Sequence, residues 1–200
     1  MNTEHIVKSF DEDLKKLDNT IAEMGGLAEV QLADAIEALI KRDTELADRV
    51  IAGDKKIDML EADMDTHATT TLALRQPMAD DLRVTITALR TASLIERIGD
   101  YAKNIAKRSV VLSQSPPLGP AKSINRMATL VQGMIKDVLD AYVARDVDKA
   151  EAVRARDADA DLLHTSLFRE ILTYMMEDPR TITSCTHLLF VAKNLERIGD

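Results

Sequence analysis

The stretch "ASLIERIGDYAKN", Ala92 to Asn104, is echoed one hundred residues later by "KNLERIGD", Lys193 to Asp200. Around the first copy Val84, Ala88, Thr91, Ile95, Ile98, Ala102 and Ile105 recur at steps of three and four. That spacing is the apolar stripe of an amphipathic helix. Leu188, Val191, Leu195 and Ile198 hold the same phase around the second copy. The chain is therefore read as one helical unit written twice.

Reading outward, the punctuation is also doubled. "KRD" (Lys41 to Asp43) and "ARD" (Ala144 to Asp146) each place an Asp where an N-cap would start a helix. "RQP" ending at Pro77 and "EDP" ending at Pro179 each place Pro at the expected first turn of the next helix. The main break, "LSQSPPLGPAKS" from Leu112 to Ser123, holds three of the five prolines. The predicted fold is all-α: two tandem three-helix bundles over 1–112 and 123–200, joined by a linker at 113–122. Asp43/Asp146, Asp54/Asp157 and Asp58/Asp161 are each 103 apart, and Glu96/Glu196 and Asp100/Asp200 are 100 apart. One such bundle buries little alone, so two are expected to pack together.

Composition agrees. Aromatic residues are 3% and Trp is absent, so the core must be aliphatic. Seven glycines and five prolines in 200 residues favour long helices. A formal charge of −8 excludes a basic nucleic-acid footprint. The single Cys185 allows no intramolecular disulfide, which suits a reducing compartment. "MNTEHIVKSFDEDLKK" has no apolar leader core, and "LLFVA" (Leu188 to Ala192) is too short to span a bilayer. A cytoplasmic protein without direct membrane insertion is expected.

The chemistry lies in the carboxylates. At 100° per residue, Glu96 and Asp100 fall on adjacent turns opposite the core stripe, as do Glu196 and Asp200. The second helix carries Asp54, Asp58, Glu61 and Asp65 beside its Leu46/Ile57/Met64 core stripe. Like charges so spaced repel by roughly 0.2–0.5 kcal/mol per pair. If the two helices are neighbours, their acidic lines flank one surface groove that would attract cations. Oxygen donors favour hard ions such as Mg²⁺, Mn²⁺, Ca²⁺ or iron. The second copy keeps Asp157 and Asp161 but has His164 in place of Glu61 and Phe168 in place of Asp65. An imidazole would shift preference toward iron, nickel or zinc. Any one such residue is more often simply solvated; recurrence in both copies is what raises the metal reading. Gly99 and Gly199, inside predicted helices, would fit a close helix approach beside the site. No phosphate loop, GxSxG, HExxH, Cys/His zinc spacing or paired Glu-x-x-His is present.

"VIAGDKKIDMLE" (Val50 to Glu61), "ALRQPMADDLR" (Ala73 to Arg83) and "ERIGDYAKNIAK", with "LTYMMEDPRTI" and "LLFVAKNLERIGD" in the second half, resemble the PhoU family. The resemblance covers essentially the whole chain. It implies two three-helix bundles with pseudo-two-fold symmetry and surface metal ions, multinuclear iron in some members. The implied ligands are Asp54, Asp58, Glu96 and Asp100, and in the second repeat Asp157, Asp161, Glu196 and Asp200. It further implies negative regulation of the phosphate-starvation response and of phosphate uptake. The implied partners are the phosphate ABC transporter's ATPase subunit and a sensor histidine kinase, and no enzymatic activity is implied. A two-metal hydrolase and a metal-free structural bundle are the alternatives. The second ERIGD coincides with the last residue, so the last helix is expected to be cut short by about ten or more residues. That expectation carries two others: either a looser second bundle or a homodimer or swapped helix covering the gap, and a weaker second metal site.

Overall fold

The computed structural model describes the backbone from Thr3 and the side chains from residue 12. Most of the N-terminal segment inspected above for a leader core therefore lies outside the described side chains. Among the described residues seven α-helices follow one another: α1 (Thr3–Lys41), α2 (Thr44–Arg75), α3 (Ala79–Leu112), α4 (Ala121–Ala144), α5 (Val147–Ala155), α6 (Asp157–Glu177) and α7 (Ile182–Gly199). There is no strand among the described residues. Nor does any helix among them have the length and apolarity to cross a membrane.

The doubled punctuation acts as expected at two of its four places. Asp43 accepts a hydrogen bond from the Leu46 amide, and Asp146 from the Lys149 amide, both at 2.9 Å. Each satisfies an orphan amide at a helix start. The prolines sit differently from the prediction. Pro77 precedes the extended Met78 cap and so lies outside α3. Pro179 opens a short 3₁₀ turn, Pro179–Thr181, that leads into α7. The predicted fifth helix is also two helices, α5 and α6, broken at Arg156.

α1, α2 and α3 pack on one another as one bundle; α4, α6 and α7 form the other, with α5 against α4. The bundles are joined side by side through α3 on α7 and α1 on α4. One core runs through both, from Leu32 and Ile36 of α1 through Ile105 of α3 to Ile124, Leu167, Ile171 and Leu195. Each fully buried aliphatic side chain contributes about 1.5–3 kcal/mol, so neither repeat is closed without the other. Gly25 marks the α1–α4 crossing: a Cβ there would meet Leu139 Cδ2 at 2.6 Å. The linker is tied down by Arg42, whose guanidinium donates to the carbonyls of Ser113 and Ser115.

The α3 stripe is rotated slightly from the predicted one. Val84, Thr91 and Ile98 are half-buried, while Thr85, Ala88, Ala92, Ile95, Gly99, Ala102 and Ile105 form the sealed line. Small residues dominate that line because α1 and α2 both press on it.

Candidate functional site

In the first repeat the acidic groove has a buried floor. Asp54 was expected on the surface, yet it is 2% exposed. Gln31 of α1 donates to Asp54 Oδ1 at 3.0 Å and reaches the Gly99 carbonyl at 3.4 Å. Lys103 of α3 donates to Asp54 Oδ2 and to Asp100 Oδ1. A buried carboxylate persists only with such partners. Gly99 is what lets α3 come this close: a Cβ would stand 3.0 Å from Ile57 Cδ1 and 3.4 Å from Asp54 Oδ1.

The remaining carboxylates rim this floor. Glu61, Glu96 and Asp100 are half-buried and Asp58 is exposed. Burial, then the charges of Asp100, Glu61, Asp58 and Asp54, push the Glu96 carboxyl above its ordinary range. The other four carboxylates therefore all act on Glu96 through their charge. The Lys103 ammonium bridges Asp54 and Asp100, and it is raised above the ordinary lysine value chiefly by its hydrogen bond to Asp54.

The second repeat is arranged differently. Asp161, Glu196 and Asp200 each offer an oxygen within 4.8 Å of the others, the only such group among the described residues. Burial, then Glu196, Asp157 and Asp161, push the Asp200 carboxyl above its ordinary range, and Lys193 opposes them. Glu196 Oε2 is buried and makes no hydrogen bond; it is ion-paired with Lys193. Three convergent carboxylate oxygens suit a hard cation, so this donor set fits a metal ion. Asp157 acts on Asp200 through its charge but stands outside the group of three, as does His164. Gly199 is in looser contact than Gly99: a Cβ would find Ala160 Cβ at 3.4 Å.

Sequence reasoning missed Gln31, Lys103 and Lys193. Lys103 had a signal, since it follows Asp100 by one helical turn. Gln31 had none, because it comes from another helix.

Fold and site together describe a duplicated α-helical protein with a carboxylate cluster on each repeat. The PhoU domain profile matches residues 21–109 and 124–200, and the chain belongs to that family. A phosphate-specific transport system accessory protein PhoU homolog of Caulobacter vibrioides (strain NA1000 / CB15N) is 52% identical over 199 residues, 99% of this chain and 86% of that protein. The crystal structure of PhoU from Pseudomonas aeruginosa superposes with a TM-score of 0.92 at 37% identity, covering 96% of this chain and 92% of that one. The phosphate transport system regulatory protein PhoU from Streptococcus pneumoniae gives 0.86 at 28% identity, covering 96% and 90%. These names describe accessory and regulatory proteins rather than enzymes.

Proposed function

We propose that this chain is an accessory regulator of phosphate transport. It acts in the cytoplasm as a metal-bearing adaptor that represses the phosphate-starvation response and phosphate uptake. In this reading it links the phosphate ABC transporter's ATPase subunit to a sensor histidine kinase. Family membership and the relatives' names support the transport role. The observation that carries the metal role is the convergence of Asp161, Glu196 and Asp200 within 4.8 Å.

The acidic faces supply the mechanism. In the second repeat Asp161, Glu196 and Asp200 would hold a divalent or trivalent cation, with Asp157 adding charge. In the first, Asp58, Glu61, Glu96 and Asp100 would do so, with Lys103 swinging off Asp100. A bound cation would neutralise each face, which at a net charge of −8 lowers repulsion toward acidic partners. Occupancy would thus set which helix faces can dock.

The test is elemental analysis of protein purified without chelator, beside capture of the ATPase subunit and the kinase by the tagged chain. Stoichiometric metal and retention of both partners are expected. Absence of bound metal together with loss of both partners would sink the reading.

A further inference from the structure

Between the repeats lies a cleft of about 620 Å³, lined by α1 and α3 on one side and by α4, α5, α7 and the first residue of α6 on the other. Asp157 and Asp200 of the second acidic cluster line it, together with two arginines that neither cluster uses. Arg97 and Arg197, the arginines of the two ERIGD copies, enter it from opposite repeats and converge on one phenol. Arg97 Nη2 donates to the Tyr101 hydroxyl at 3.2 Å, and Arg197 acts on the same oxygen from the other repeat. Neither guanidinium is in a salt bridge among the described residues, although Glu196 and Asp200 act on Arg197 at longer range. The other cations of the cleft are engaged: Lys193 with Glu196, and Arg154 with Glu151 at 3.3 Å. Two like charges brought to one neutral oxygen repel, and an anion between them would relieve the repulsion. The two arginines hold the Tyr101 hydroxyl below the ordinary phenol range, which is the same field acting on a group already present.

The rest of the cleft is apolar. Leu94 and Val138 are 56% and 42% exposed, and Ile98 and Leu139 continue the wall between the two helices. A cavity of this size suits a small organic ligand. One guanidinium fork already matches both oxygens of a carboxylate, whereas two forks match the three oxygens of a phosphoryl group. An inorganic ion would leave the apolar wall uncovered.

We propose that this cleft binds a small organic phosphate. Its phosphoryl group would lie on Arg97 and Arg197, and its apolar body along Leu94, Ile98, Val138 and Leu139. Because the arginines come from different repeats, the ligand would clamp the two bundles together.

The test is calorimetric titration of the 200-residue chain with adenosine 5′-monophosphate, with adenosine and inorganic phosphate as separate arms. Saturable, salt-weakened binding of the nucleotide is expected, at least about tenfold tighter than either arm. Arg97→Lys/Arg197→Lys should weaken it by about tenfold, because lysine keeps the charge but loses the fork. Arg97→Ala/Arg197→Ala should abolish it, while Arg90→Ala on the same helix leaves it unchanged. Both arginines are exposed, so circular dichroism should show all variants folded. No saturable binding at millimolar nucleotide, inorganic phosphate binding as tightly as the nucleotide, or undiminished binding in the alanine pair would each overturn the proposal.

Discussion

α2 runs unbroken from Thr44 to Arg75, while the same stretch of the second repeat is α5 and α6, interrupted at Arg156. The residues at the break differ between the repeats. Arg156 packs over Gly133, where a Cβ would meet its Nη2 at 3.0 Å, and donates to Asp137 at 2.8 Å. At the equivalent places the first repeat has Gly53, which meets nothing within 4 Å, and Val30. An arginine drawn down onto α4 pulls the helix off its axis one residue before Asp157; a glycine in α2 makes no such contact. Four carboxylates of the acidic motif recur in both repeats, but the first of them is buried in one, as Asp54, and half-buried beside a helix start in the other, as Asp157. Motif spacing thus does not determine how a carboxylate is used; the neighbouring helix does. The same contrast appears where Gln31, which binds Asp54, gives way to Met134 near Gly199.

Truncating the first carboxylate of each motif tests this contrast most strongly. Asp54→Ala leaves Lys103 and Gln31 without their buried acceptor and should cost about 2–3 kcal/mol, below a fully sealed pair because Lys103 is partly exposed. Asp157→Ala should stay within about 0.5 kcal/mol. Urea unfolding of both variants measures the difference, and equal losses would show that the repeats use this residue alike.

Metal affinity sharpens the comparison further. The sequence reading ranks the second site weaker, whereas the convergence of Asp161, Glu196 and Asp200 predicts the opposite order. Glu196→Ala should reduce Mn²⁺ affinity about tenfold or more, and Glu96→Ala by less, because among the described residues only Asp161, Glu196 and Asp200 bring three carboxylate oxygens within 4.8 Å of one another. Lys103→Met should then raise the affinity of the first repeat. Calorimetric titration with Mn²⁺ reads all three, and a Glu96→Ala loss exceeding that of Glu196→Ala would reverse the ranking.

The motif glycines should respond with opposite signs. Gly99→Ala forces a Cβ against Ile57 and Asp54, and overpacking of about 1–3 kcal/mol outweighs the roughly 0.5–1 kcal/mol helix gain. A net loss of about 1 kcal/mol is expected. Gly199→Ala meets only ordinary contact and should be neutral or gain up to about 0.5 kcal/mol. Thermal unfolding of the two variants decides, and matching shifts would remove Gly99 from its role as a spacer.

The smallest effect is on pH dependence. Glu96 and Asp200 both have carboxyls raised above the ordinary range, so the folded chain binds protons more tightly than the unfolded one. Their contribution is fully present below the ordinary carboxylate value and is lost as pH rises through the raised one. With chelator, the melting temperature should therefore climb on acidification through that window. With Mn²⁺ it should fall there, because protons compete for the same oxygens. Glu96→Gln and Asp200→Asn, each neutral throughout, should flatten their shares of both slopes.

Much of this protein was determined locally. The apolar phase around ERIGD, the 103-residue offset of the aspartates and the Asp43 and Asp146 caps are consequences of residues within a few helical turns. Helical periodicity and N-capping need no other part of the chain, so the all-α repeat and the acidic clusters were legible in the sequence. The prolines were read as helix starts, two and three residues before α3 and α7 begin, because only the surrounding backbone decides whether Pro begins a helix or the turn before it. What crosses between helices was not legible. The burial of Asp54 depends on Gln31 and Lys103 from two other elements, the break at Arg156 on Gly133 and Asp137 of α4, and the convergence of Arg97 with Arg197 on the packing of one repeat against the other. Side-chain periodicity specifies which face a residue occupies, but the charge or cavity that meets that face is supplied by residues tens of positions away, and only tertiary packing brings them within hydrogen-bond reach.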